Sequence, residues 1–218
     1  MGKKRLEDAI KQVDYPIEVT YRCFELDPHM DRDVKESIYE KLAKKYGMSI
    51  DDARANSQNV AQTAKAAGLD FQFDTMILTN TFDAHRVTMY AKKHGKMREM
   101  TERLLQAYFT ESKHIGNHET LTELAAEVGL NRDEVAAMLA SDELADDVRA
   151  DEKTAQQYGV TGVPFFLLNK KYALTGAQPT EVFVQALKQV IAEDGITVLN
   201  GQDGGAICDD DGCEIPEK

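Results

Sequence analysis

The residues best suited to chemistry in this sequence are its three cysteines, two of which lie close together near the C-terminus. Cys208 and Cys213 share the stretch CDDDGC, a spacing at which Gly212 lets the chain close a disulfide loop. The aspartates at 209–211 disfavour ionisation of both thiols and slow their attack on a disulfide. The pattern fits an auxiliary redox pair, and it also fits two exposed thiols with no role. No metal site is predicted, because two thiolates without a nearby histidine are an incomplete zinc ligand set.

The third cysteine, Cys23, lies in the alternating segment IEVTYRCF, residues 17–24. Alternate residues from Ile17 to Cys23 are apolar and share one face, which predicts a β-strand. Because free cysteine is among the most often buried residue types, we predict a core position for Cys23.

A proline stands directly before an apolar run in GVTGVPFFLL, residues 159–168. Proline cannot donate to a β-ladder, so it belongs at the first position or the edge of a strand, and we predict a strand over 164–168. Taken alone, the Val163–Pro164 bond is expected to be trans, since only about one X–Pro bond in twenty is cis.

Asn80, His85 and Arg86 lie at the start of a helix predicted over 81–94. Local evidence predicts that Asn80 caps this helix and that the charges beside it are solvated. The other histidines show neither metal-ligand spacing nor catalytic pairing.

Hydrophobic periodicity predicts the elements that must position these residues. The chain opens with an amphipathic helix whose apolar positions are Leu6, Ala9, Ile10 and Val13. The strand at 17–24 follows, and residues 31–158 are predicted to be entirely helical. Two strands come next, 164–168 and an antiparallel return at 172–175, before a final helix that opens near Pro179.

Caps and glycines predict the helix ends within this helical block. Ser49 and Asn131 are predicted N-caps, and the last helix of the block is predicted to begin at Ser141 or Asp142. The glycines expected just beyond helix ends are Gly47, Gly68, Gly95, Gly129 and Gly159.

Composition narrows the functional classes. The formal net charge of −12 argues against nucleic acid as a partner, because phosphates need a basic surface. The apolar runs are too short to span a membrane, and the charged N-terminus lacks the apolar region of a signal peptide. We therefore expect a cytoplasmic protein without nucleic-acid or membrane partners.

Five stretches together resemble the FrnE-type DsbA family of disulfide oxidoreductases and isomerases: RLEDAI, YRCFELDP, NTFDAHR, GVTGVPFF and LTGAQPTEVF. The resemblance covers about residues 3–193. It implies an α/β fold, a thioredoxin-like fold split by a large all-helical insertion. The implied thioredoxin-like domain comprises 1–30 and 159–195, the helical insertion 31–158, and a flexible tail with the C-x4-C pair 196–218.

The sequence departs from this family in one respect, since it contains no C-x-x-C. In the family that pair follows the first strand, at the N-terminus of the first helix, and this chain is expected to start after it. The sequence fits either a truncated oxidoreductase or a complete paralogue that lost this redox pair. The family's first strand is central in the sheet, so we expect the gap to be filled by rearrangement, by exchange with a second chain in a homodimer, or by segments outside this numbering.

The resemblance implies a cis bond at Val163–Pro164 and a substrate site in which Val163 pairs with an extended peptide or with glutathione. It also implies that Asn80 and His85 line the cleft. The implied activity is thiol–disulfide exchange on protein thiols and disulfides, with no bound cofactor and with glutathione as a candidate co-substrate. The alternatives are a glutathione-dependent isomerase or transferase of the 2-hydroxychromene-2-carboxylate isomerase type, a non-catalytic peptide-binding or chaperone-like protein, and a redox sensor that uses only the tail pair.

Overall fold

The computed structural model describes residues 1–194 and, beyond them, only the backbone pairing of Cys208–Asp209 with Gly212–Cys213. Its elements in chain order are α1 (Gly2–Ile10), α2 (Ile38–Tyr46), α3 (Ile50–Ala66), α4 (Phe82–Lys93), α5 (Met97–Phe109), α6 (His118–Glu127), α7 (Arg132–Leu139), α8 (Ala145–Gln157), β1 (Phe165–Leu168), β2 (Tyr172–Thr175), α9 (Thr180–Asp194), β3 (Cys208–Asp209) and β4 (Gly212–Cys213). No helix of the described part is long and apolar enough to cross a lipid bilayer.

The first and last helices form one layer against a β-hairpin. β1 and β2 pair antiparallel with Phe165 opposite Thr175, as the sequence predicted. The apolar face of α1 packs on α9 and on the hairpin, and Phe183 of α9 is completely buried there. The ring of Phe166 meets that of Phe183 edge to face, with centroids 4.7 Å apart, a favoured aromatic geometry.

The middle of the chain contains helices and irregular connections, and no strand occurs anywhere in residues 31–158, all of which are described. The prediction that this block is entirely helical is wrong at 31–37 and 67–81, which form no helix. Its main core joins α4 to α8 through fully buried side chains: Val87, Met100, Leu121, Leu124, Val135 and Val148. The predicted caps are present. The Ser49 hydroxyl accepts the Asp52 N–H, and the Asn131 side chain accepts the N–H groups of Asp133 and Glu134.

The strand predicted at 17–24 is wrong, because these residues form no strand in the structure. Alternation selects a half-buried extended segment, but a strand also needs a neighbour for its N–H and C=O groups. Among the described residues no strand lies beside this segment. The Cys23 N–H instead donates to Asp151 Oδ2 of α8 at 2.9 Å. That the gap beside the segment is filled stays a prediction.

The start predicted for the last helix of the block, Ser141 or Asp142, is also wrong, since α8 begins at Ala145 after Leu144 in a left-handed conformation. A side chain from α4 explains the late start. The Arg86 guanidinium donates hydrogen bonds to the carbonyl groups of Ser141 and Glu143. A helix that began at Ser141 would direct the Ser141 carbonyl to the N–H of Ala145 instead.

Gly2, at the start of α1, makes the closest approach between α1 and the hairpin. A Cβ placed on Gly2 would lie 2.8 Å from Pro164 Cγ and 3.0 Å from the Phe166 ring. We expect Gly2→Ala to lower the free energy of unfolding by about 1–2 kcal/mol, because the overpacking exceeds the gain in helix propensity. Urea denaturation measures the loss.

Gly162→Ala is the matched control, because a Cβ at Gly162 meets nothing within 4 Å. Its stability should stay within about 0.5 kcal/mol of the wild type. Equal losses in both variants would show that the contact between Gly2 and Pro164 is not tight.

Candidate functional site

A deep groove opens between the segment at 21–27 and the helices α2, α4 and α5. It encloses about 920 Å³ and ends at Val163, the residue before Pro164. Apolar side chains dominate its walls, among them Phe24, Leu26, Leu42, Leu104 and Tyr108. Leu26 is 60% exposed and Val163 48% exposed, so apolar surface faces solvent along the groove. A cavity of this size and character is typical of binding sites.

The loop at the end of the groove is fixed by the hairpin. The Val163–Pro164 bond is cis, the geometry that the resemblance implies. The Pro164 carbonyl accepts the Gly176 N–H at 2.8 Å, which ties the loop to the end of β2. Because Gly2 touches Pro164, the N-terminus of α1 lies against this loop. We call Val163 and Pro164 the platform.

His85 on α4 lines the groove. Its predicted role in substrate binding stays a prediction. Burial lowers the pKa of His85, and this effect is opposed by the charges of Glu152 and Asp151 and by a hydrogen bond with the Phe24 backbone. The ring is therefore neutral at physiological pH. A neutral ring on an apolar wall can donate or accept one hydrogen bond without adding charge to the site.

Asn80 is placed beside the groove. Its side-chain oxygen accepts the Phe82 N–H at 2.8 Å at the start of α4, and its amide nitrogen is 3.4 Å from the Pro28 carbonyl. Its neighbours Thr79 and Thr81 line the groove, whereas Asn80 does not. The structure thus brings His85 and Val163 to one cavity and gives Asn80 a capping contact at its border.

Cys23 also lines the groove, but its thiol is almost completely buried. Burial, together with the negative charges of Asp151 and Glu152, raises the pKa of Cys23 to about 12. The thiolate, which is the reactive form, is therefore absent at neutral pH. This placement confirms the core position expected from the strand-like pattern.

Arg86 corrects the expectation of a solvated charge. Its side chain is buried, and its guanidinium donates to the carbonyl groups of Met138, Ser141 and Glu143 and to Asp83 Oδ1 at 2.8 Å. No group of His, Cys, Asp and Glu residues in the described ranges could hold a metal ion.

The backbones of Cys208 and Cys213 are directly opposite each other in the two-stranded pairing of β3 with β4. Their side chains, and the rest of the tail, lie outside the described residues. The predicted redox pairing of the two thiols therefore remains a prediction.

Sequence reasoning missed most of the groove. Its walls come from the segment at 21–27, from the loop at 78–81 and from three helices, and each helix shows only an ordinary amphipathic stripe. The one available signal was an excess of apolar residues on α5, where Leu104 is buried and the adjacent Leu105 is 40% exposed toward the groove.

Comparison with known proteins agrees with this architecture. A family model described as "DSBA-like thioredoxin domain" matches residues 1–188. The chain is 28% identical over 189 residues to the uncharacterized protein YwbO of Bacillus subtilis (strain 168), covering 86% of this chain and 88% of that protein. A crystal structure of the probable DsbA oxidoreductase SCO1869 from Streptomyces coelicolor superposes with a TM-score of 0.85 at 38% identity, covering 99% of this chain and 93% of that one. The chain belongs to the DsbA-like thioredoxin-domain family.

Proposed function

We propose that the protein is a thiol–disulfide oxidoreductase or isomerase of the FrnE type that acts on protein thiols and disulfides. Membership of the DsbA-like family and the probable DsbA oxidoreductase among its structural neighbours support an oxidoreductase-type role. The observation that carries the proposal is the apolar groove that ends at the platform, with the N-terminus of α1 against Pro164. This arrangement holds an extended apolar chain beside a helix N-terminus.

The loop that precedes β1 suits such a substrate. Val163 lines the groove, and its backbone would pair with an extended peptide whose apolar side chains enter the groove. The exposed side chain of Val163 adds apolar contact at the junction.

The reaction is thiol–disulfide exchange. A thiolate attacks one sulfur of a substrate disulfide, forms a mixed disulfide and releases the other substrate sulfur as a thiolate. A second thiol then attacks the mixed disulfide, so the enzyme pair is oxidised as the substrate is reduced. In this sequence Cys208 and Cys213 are the pair proposed for that role, and glutathione is the proposed co-substrate that returns them to the dithiol.

Insulin-disulfide reduction tests the role of the tail pair. We expect slow turnover by the 218-residue chain and loss of that turnover in Cys208→Ser. Cys23→Ser is the matched cysteine variant, and it should change stability more than turnover, since its buried thiol does not ionise. Activity that survives in Cys208→Ser would contradict the proposed nucleophilic pair.

The glutathione-dependent isomerase or transferase is a second candidate, favoured by the volume of the groove, which suits a small apolar ligand. A transferase would consume glutathione together with a small apolar substrate, whereas an isomerase would convert the substrate and release glutathione unchanged. No insulin turnover, combined with glutathione-dependent conversion of such a substrate, would favour this alternative over the oxidoreductase.

A further inference from the structure

Two carboxyl groups are buried behind the wall of the groove, where the segment at 21–27 meets α8. Glu25 follows the groove residue Phe24, and only 1% of its side chain is exposed. Glu152 on α8 is 15% exposed. One guanidinium serves both, because Arg149 Nη1 lies 2.6 Å from Glu25 Oε2 and 2.6 Å from Glu152 Oε2.

Each of these carboxyl groups also has an oxygen without a partner. Oε1 of Glu25 and Oε1 of Glu152 are both buried and accept no hydrogen bond. Leaving a buried acceptor unpaired is unfavourable, and two ionised carboxylates beside a single Arg149 leave one negative charge uncompensated. One proton removes both problems, since a protonated carboxyl donates to its neighbour and cancels the surplus charge.

We propose that Glu25 and Glu152 share one proton in the folded protein, and that losing it as the pH rises weakens the attachment of the groove wall to α8.

The charged groups on the neighbouring elements do not supply the second positive charge that two ionised carboxylates would need. On the segment itself, Arg22 is paired with Asp151 of α8 at 2.9 Å, and Asp151 also accepts the Cys23 N–H. On α4, His85 is neutral, and Lys92 contributes only a distant positive charge, which acts on Cys23.

The remaining cation, Arg149, is held in position and cannot compensate two carboxylates. Its guanidinium lies 4.2 Å from the centre of the Phe82 ring at the start of α4. Burial raises the pKa of Glu25, and the neighbouring carboxyl group of Glu152 raises it further, while Arg149 opposes both effects.

The direction of the pH effect follows from this raised pKa. The folded state retains a proton that the unfolded chain releases at the ordinary pKa of a glutamate. The stabilisation is complete below that value and is lost as the pH rises through the pKa of the folded state. Because Phe24 and Leu26 flank Glu25 and line the groove, charge repulsion at Glu25 acts directly on the groove wall.

Two measurements on the full chain test the shared proton. A carbon-13 NMR titration of the Glu25 carboxyl in the wild type should show a midpoint above that of an ordinary glutamate. Urea unfolding between pH 5 and about 9 should show that the equilibrium constant for unfolding rises with pH. The rise should be at most about tenfold per pH unit, which is the limit for the release of one proton.

Glu152→Gln separates the shared proton from other titrations. The amide donates a permanent hydrogen bond to Glu25, so the rise of the unfolding constant with pH should flatten relative to the wild type. Glu99→Gln, at an exposed position of α5, is the matched control and should keep the wild-type slope. A Glu25 midpoint at or below the ordinary value, or the same slope in Glu152→Gln as in Glu99→Gln, would overturn the proposal.

Discussion

Insulin reduction is expected to rise at least about tenfold when the chain is extended upstream of Met1 by a strand and a C-x-x-C, compared with the 218-residue chain. The expected gain comes from the position of the new thiol. Gly2 is packed against Pro164, so residues added just before Met1 enter at the platform, where the groove ends.

The electrostatics at this end of α1 favour an anion. Burial lowers the pKa of the Met1 ammonium, and the nearby charges of Arg5 and Lys3 lower it further. Burial by itself disfavours a thiolate as it disfavours the ammonium, but the positive charges of Arg5 and Lys3 and the unpaired N–H groups of the helix N-terminus stabilise a thiolate. The tail pair has three neighbouring aspartates instead. A larger thiolate fraction outweighs the lower intrinsic nucleophilicity of a more acidic thiol.

The matched control is the same extension with both new cysteines replaced by serine. It supplies the strand without the thiols, so its turnover should equal that of the 218-residue chain. The mechanism proposed here is wrong if the short chain already matches the extended one.

Arg86→Ala is expected to lower the free energy of unfolding by about 3–5 kcal/mol, the usual loss when one partner of a buried charged network is removed. The variant removes a buried donor from three backbone carbonyls, one at the end of α7 and two before α8. It also removes one partner of Asp83, which keeps its contacts with Arg32 and His118. A small side chain also leaves a cavity under α4. Denaturant unfolding, followed by circular dichroism, measures the loss.

Two arginine variants bracket this effect. Arg98→Ala removes an arginine that is 71% exposed and forms one ion pair with Glu7, so its loss should stay below about 1 kcal/mol. Arg86→Lys keeps the positive charge but loses the planar fork of donors, so its loss of stability should lie between those of Arg86→Ala and Arg98→Ala. A loss in Arg86→Ala no larger than that in Arg98→Ala would mean that the buried contacts of Arg86 contribute little.

The features that the sequence determined are those whose causes are local. Ser49 and Asn131 start their helices because a side-chain oxygen reaches an N–H two or three residues ahead. All five glycines expected beyond helix ends adopt the left-handed conformation in the structure. The hairpin of β1 with β2 and the helices within residues 31–158 follow from periodicity in the same way.

Tertiary structure alone decided the partners of each segment. Alternation at 17–24 correctly placed Cys23 in the core, although Val19 on the same predicted face is 40% exposed. The segment bonds to Asp151 of α8 because the described fold places no strand beside it. Arg86 looks like a surface charge in sequence, and it is buried because carbonyl groups more than 50 residues away converge on it.

The candidate site shows the same division. The cis geometry of Val163–Pro164 was expected from one short stretch of sequence and its family resemblance, whereas the groove beside it was not. Its walls come from segments far apart in the chain, and the carboxyl groups of Glu25 and Glu152 behind it are 127 positions apart. Local patterns determine which residues are apolar or capping, but a cavity and a shared proton depend on distances that only the packed chain sets.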